Sequence, residues 1–284
     1  MILKNEESEL RLIWRLFLLV VPFLLAAFLL RYIPVRIQTG ILMEQGLSEA
    51  AALSQARYLF LEDTAGVSTL GIIQGLLWYV FVYFHLRFIE KRPCNSRSFG
   101  LVTSKKNFVL FGPGLILGLA MYFGYFVIGS ILHQPSFIWS PTEPGIFPVF
   151  LVSLDMLTNG FGEETAFRAY WQRLLINRLG LWFGIIAASI SFVLLHLLVA
   201  RFTPTALLAS FLLACLYGIL YAWTGSIFLV GTLHATFNLA PRISGQWPSD
   251  TSLLYINSLA LVIAVFLYLR SVRGARAKKS YNDQ

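Results

Sequence analysis

Two adjacent glutamates, an arginine, two histidines and an asparagine are the residues in this chain whose types and spacing could do chemistry. Residues 160–171 read GFGEETAFRAYW and carry Glu163, Glu164 and Arg168; SFVLLH closes on His196; HATFN runs from His234 to Asn238. All of them, and Asp155, lie in apolar surroundings, where a charge is costly unless paired or hydrogen-bonded. Glu164 and Arg168 are spaced i, i+4 with the acid N-terminal, the favourable orientation for a helical ion pair. Glu163 is about 100° around the helix, so that pair leaves it free for other work. Two carboxylates this close repel, a setting suited to proton transfer. His196 taken alone reads equally as a hydrogen-bonded packing residue. His234 and Asn238, again i, i+4, face one way and offer either N–H groups to a substrate or hydrogen bonds between helices.

The elements that must position these groups are membrane helices. The chain has 284 residues, 57% hydrophobic and 13% charged, against about 25% charged in a soluble domain. Eight apolar segments approach the ~20 residues a span needs: 10–30, 70–89, 108–132, 147–168, 179–200, 204–223, 226–240 and 252–269. The expected fold is an all-α, polytopic membrane helical bundle. Residues 1–30 read as a retained first span, because charges crowd their start and Arg31 and Tyr32 stand where a cleavage site would be.

With eight spans both termini share a side, and that side holds 17 of the 22 Lys and Arg residues. Basic residues favour cytoplasmic loops, so both termini are expected in the cytoplasm. The +8 net charge is thereby a topology signal and implies no nucleic-acid partner. Cys94 falls in a cytoplasmic loop and Cys215 in the sixth span, so no disulfide is expected. The organisation is a single integral membrane domain over 1–284, with a basic cytoplasmic tail at 270–284. In the stretch 31–69, outside the membrane, Ser48 is an N-cap candidate for a short helix that either lies on the surface or packs over the loop.

Spacing brings the polar groups together. Glu163 and His196 are 33 positions apart with their midpoint at Leu179 and Gly180, where INRLG is a helix stop signal. A hairpin about that turn puts both at one height, about 25 Å from it. The turn between the sixth and seventh spans, at Thr224 and Gly225, puts His234 about 14 Å in from the same side. The levels agree if the first hairpin projects about 10 Å further.

EETAFR, then FVLLH, then HATFN, in that order and each in a membrane helix, resembles the CPBP family of CAAX-processing and bacteriocin-processing intramembrane proteases, whose motifs are EExxxR, FxxxH and HxxxN or HxxxD. The resemblance covers roughly 148–240, including YGILYAWTGSI, and marks that stretch as the catalytic core. By motif it places Glu163, Glu164 and Arg168 in the first, Phe192 and His196 in the second, and His234 and Asn238 in the third. Ala169 departs from the family's usual glycine and implies a slight shift in helix packing.

Peptide hydrolysis needs an activated water and donors for the oxyanion. Glu163 and His196 suit the first task, His234 and Asn238 the second. Arg168 fixes Glu164, which helps set the ionisation of Glu163, and Phe192 packs against His196. No cofactor is needed in this scheme. The alternative is Zn²⁺ held by Glu163, His196 and His234, although an HExxH helix is missing and an amide is a natural oxyanion donor. Other function classes are a non-catalytic binding or immunity protein of the same family and, more distantly, a transporter, for which no repeat is visible. The expected substrate is a membrane-tethered peptide or protein, in a bacterial plasma membrane, entering sideways into a cavity whose polar groups are confined to Glu163, His196, His234 and Asn238. A reporter fused after Gln284 should prove cytoplasmic and one inserted at Pro141 should not. Finding both on one side would overturn the eight-span topology.

Overall fold

The structure is a computed structural model that describes residues 12–282 apart from 97, 102–104, 135–136, 139, 141–144 and 198–201. Among the described residues it is helical throughout, with no strand. The helices are α1 (Leu12–Glu44), α2 (Glu49–Arg57), α3 (Thr64–Phe84), α4 (Lys105–Val109), α5 (Phe111–Ile131), α6 (Ile146–Glu164), α7 (Arg173–Leu179), α8 (Leu181–Leu197), α9 (Pro204–Thr224), α10 (Ile227–Ser244) and α11 (Asp250–Asn282). π-Helical stretches Tyr58–Glu62, His85–Ile89 and Thr165–Gln172 extend α2 and α3 and join α6 to α7. This is a helical membrane bundle.

Each of the eight expected spans falls on a helix. Five helical stretches are long and apolar enough to cross a membrane: Leu12–Glu44, Thr64–Ile89, Asn107–Ile131, Pro204–Thr224 and Asp250–Arg273. The other three, around α6, α8 and α10, carry Glu163, His196 and His234. α6 and α10 trade apolar positions for polar ones, whereas α8 is apolar throughout its 17 described residues, beyond which 198–201 lie outside the described residues. The starting residue Leu10, the closing residue Ala200, and the basic residues Lys4, Arg11, Arg97 and Arg201 of the charge count lie outside the described residues.

Two boundaries differ from the sequence expectation, and one open alternative is decided. Residues 31–44 are not loop: α1 continues through Pro34, because a proline inside a membrane helix is tolerated where neighbouring groups re-satisfy the backbone. The short helix exists, capped by Ser48 Oγ accepting from the Ala51 N–H at 3.4 Å. It packs by Ala52 and Ala56 on Val35 and Leu42 of α1, so the packing alternative is the one adopted. The fourth span does not stop at Arg168 but runs as one helical rod to Leu179, where Gly180 turns the chain with φ 79°.

The bundle closes around α6, which lies between α3 and α10. Glycines bring the backbones into contact. A Cβ on Gly75 of α3 would meet the Thr158 carbonyl carbon at 2.5 Å, one on Gly162 the Gly75 oxygen at 2.5 Å, and one on Gly160 the Ala235 nitrogen at 2.9 Å. Small residues at crossing points are how membrane helices gain close packing, and Gly160 and Gly162 stand just before Glu163 in sequence. The Ala169 methyl, unusual for the family resemblance, is buried near Gly100, whose φ of 71° and missing side chain leave it room. Gly162→Ala should therefore lower the Tm of the purified protein in detergent, at a cost of about 1–3 kcal/mol. Gly112→Ala, with nothing within 4 Å of the added atom, should not.

Candidate active site

The site is built outward from Glu164, which is fully buried. A bare carboxylate cannot remain charged there without partners, and it has two. Arg168 Nε donates to Oε2 at 3.0 Å, and His234 Nδ1 donates to Oε1 at 2.9 Å. The first bond is the expected i, i+4 pair, held across the start of the π-helical stretch. The second was not anticipated, because sequence spacing carries no information about a contact 70 positions away. The guanidinium of Arg168, itself wholly buried, lies 5.2 Å from the centroid of the Phe192 ring, an arrangement that offsets part of its desolvation.

Phe192 is a hub: its ring centroid stands 4.4 Å from that of His196, 6.0 Å from that of His234 and 5.2 Å from that of Phe167. Tyr217 of α9, buried and stacked on His234 at 5.3 Å, closes the other side of that ring. Sequence reading missed Tyr217, which is one aromatic among many in an apolar helix and carries no spacing signal.

The hairpin about Gly180 brings His196 beside Glu163 as the midpoint argument requires. His196 Nδ1 contacts the Phe192 carbonyl at 2.9 Å. A carbonyl only accepts, so Nδ1 carries the proton; the carboxylate of Glu164 imposes the same on His234. Both rings therefore turn Nε2 the same way. Each Nε2 lies 3.8 Å from Glu163 Oε2, too long for a direct hydrogen bond. That oxygen is buried with no hydrogen-bond partner among the described residues. A water set to one side can reach the oxygen and both nitrogens. Asn238, one turn beyond His234, makes no hydrogen bond to another described residue and lines the same cavity.

The cavity has a volume of about 540 Å³, within the range of small-ligand sites. Glu163, His196, His234 and Asn238 all line it. Its polar groups are not confined to those four. Arg31, Gln74, Asp155, Asn159 and Arg242 line it too, because α1 continues past Leu30 and carries Arg31 alongside α3. Asp155, Asn159 and Glu163 are successive i, i+4 positions that form one polar stripe on α6.

The donor types of Glu163, His196 and His234 are those of a zinc site, and both imidazoles have Nδ1 held as ligating histidines do. No three acidic, histidine or cysteine side chains among the described residues converge closely enough to hold a metal ion. The three residues thus present the right atoms but do not close into a ligand set.

Residues 145–240 match the family model described as type II CAAX prenyl endopeptidase Rce1-like. Over these residues the chain carries the Rce1-like pattern. The match spans the helices of all three motifs, and the resemblance to the CPBP family stands on it. No curated protein matches the chain. The Rce1-like segment contains every residue of the Glu164–Arg168–His234 and Glu163–His196 contacts, whereas Arg31, Gln74 and Arg242 lie outside it.

The buried pair makes a stability prediction. Arg168→Met leaves Glu164 without its cationic partner among the described residues other than a protonated His234, and should cost about 3–5 kcal/mol. Adding Glu164→Gln to that variant should recover part of the loss, measured as a double-mutant cycle on thermal unfolding. Additive losses would show that the two residues do not depend on each other.

Proposed function

We propose that the chain is an intramembrane endopeptidase that cleaves a membrane-tethered peptide or protein with a water activated by Glu163. The observation that carries this reading is the convergence of two imidazole Nε2 atoms on the unpartnered Oε2 of Glu163, each at 3.8 Å. The Rce1-like match over 145–240 supports peptide-bond cleavage as the reaction class.

Glu163 accepts a proton from the water as its oxygen attacks the scissile carbonyl carbon. His196, with Nδ1–H on the Phe192 carbonyl, offers a bare Nε2 that accepts the water's other O–H and aims its lone pair. The carbonyl oxygen gains the negative charge, and the Asn238 side-chain N–H₂ donates to it. His234 can donate as well only when doubly protonated, since its Nδ1–H is committed to Glu164. Collapse breaks the C–N bond, and the proton held on Glu163 passes to the leaving amine. Arg168, Glu164 and Phe192 act by position: they fix the rotamer of His234 and the plane of His196. Zn²⁺, if held by Glu163, His196 and His234, would supply Lewis-acid activation of the same water.

The apolar side chains Phe23, Leu24, Ala27 and Phe28 of α1, which wall the space beside Glu163 and His196, favour a substrate anchored in the bilayer. Purified protein should cleave members of a panel of lipidated and transmembrane peptides. Glu163→Ala should lower kcat by at least about 10²–10⁴-fold with an unchanged unfolding curve, and Asn238→Ala by about 10²–10³-fold. Undiminished turnover by Glu163→Ala would refute the base. Activity lost to chelator and restored by Zn²⁺ would decide for the metal. A non-catalytic binding protein would bind members of the panel and cleave none.

A further inference from the structure

Two cavities meet at the Glu163–His196 pair, and both are bounded by the same two residues from outside the Rce1-like segment. The larger, of about 540 Å³, runs along α6 toward Asp155; the second, of about 440 Å³, runs along the apolar face of α1 past Phe23 and Ala27. Arg31 and Gln74 line each of them together with Glu163 and His196. Whatever occupies either space beside the catalytic pair also meets the Arg31 guanidinium.

An arginine half-buried among apolar helices is costly and needs a reason. The bland one is that it neutralises buried Asp155, which lies near enough to interact electrostatically. The contacts do not bear that out. No ion pair within 4.0 Å joins Arg31 to Asp155 among the described residues, and Asp155 Oδ1 is instead served by Asn159 Nδ2 at 2.6 Å. Arg31 is held by neutral acceptors, donating through Nη1 to Gln74 Oε1 and to the Ala27 carbonyl at 3.4 Å. Its Nε and Nη2 make no hydrogen bond to a described residue. The result is a guanidinium held through one nitrogen on a residue that lines both cavities, with an Nε–Nη2 edge of the kind that takes a carboxylate in two parallel hydrogen bonds.

We propose that Arg31 binds a carboxylate of the peptide substrate and thereby selects which bond is cut. This rests on the peptidase reading above. The reach follows from the fold. Gly75, next to Gln74 in sequence, packs at the level of Thr158 and Asn159, one turn of α6 from Glu163, which is about 6 Å of rise. An extended peptide covers that in about two residues. The carboxylate therefore lies two or three residues from the scissile bond, and is either the chain's own C-terminus or an acidic side chain. Gln74 is a positioning residue, acting through Arg31.

The test uses the full-length protein in lipid nanodiscs and N-palmitoylated octapeptides of one sequence in four forms. One has a free C-terminal carboxylate and one a C-terminal amide; two further amides carry Glu or Gln two residues beyond the cleaved bond. Wild type should cleave one carboxylate form at least about tenfold better in kcat/KM than its neutral counterpart, chiefly through KM. Preference in the first pair identifies the C-terminus, in the second an acidic side chain. Arg31→Gln should abolish the preference and Arg31→Lys should retain part of it. Equal cleavage of both pairs by wild type, which needs no variant to fold, would overturn the proposal. So would a preference that survives Arg31→Gln. If wild type cleaves none of the peptides, the peptidase reading fails separately, and binding of the same four peptides to wild type by calorimetry decides for Arg31: tighter binding of a carboxylate form, lost in Arg31→Gln, supports it, and indifference to the carboxylate overturns it.

Discussion

A carboxylate with no exposed surface, at Glu164, is the constraint around which this bundle is arranged. Leaving it charged and alone in the interior would cost more than the marginal stability of a typical domain can absorb. Its two oxygens are therefore committed, one to Arg168 on its own helix and one to His234 on α10. The first commitment places a guanidinium over Phe192. The second ties α6 to α10 at the level where their backbones already touch through Gly160. Once both are made, His234 has a single ring orientation and its Nε2 is directed at Glu163. The adjacent acid, relieved of any structural bond, is the one left with an unsatisfied oxygen.

The same constraint explains why α6 and α10, two of the helices over the expected spans, are less apolar than the five long apolar stretches. They exchange apolar surface for groups that meet in the interior, and the apolar α8 brings His196 to the same place. Close crossings at glycine keep the spacing short enough for side chains on three helices to reach one water-sized volume. α1 and α3 then bound that volume from the other side, contributing Arg31 and Gln74 to the same walls. The motif residues of the Rce1-like segment and Arg31 and Gln74 outside it are thus apart in the chain but line the same cavities.

Much of this is legible in the sequence. The Glu164–Arg168 pair follows from helical spacing, the meeting of Glu163 with His196 from their symmetry about Leu179 and Gly180, and the cap at Ser48 from its residue type. What is not legible has a common physical cause. The His234–Glu164 bond, the stacking of Tyr217 and the approach of Arg31 depend on which faces of distant helices are turned together, and apolar helices of uniform composition do not encode that in their periodicity. The extension of α1 through Pro34 and the π-helical continuation of α6 to Gln172 escape for another reason. Local rules mark proline and charge as ends of spans, whereas interior packing can hold a helix through both.

The central claim is that Glu164 fixes His234 by accepting from its Nδ1, so that Nε2 faces Glu163. Nitrogen-15 NMR of histidine-labelled protein in nanodiscs reads this directly, with His234 assigned among the four histidines by substitution of the others. The account predicts a protonated Nδ1 in the wild type and loss of that fixed state in Glu164→Gln. A bare Nδ1 with the proton on Nε2 in the wild type would contradict it.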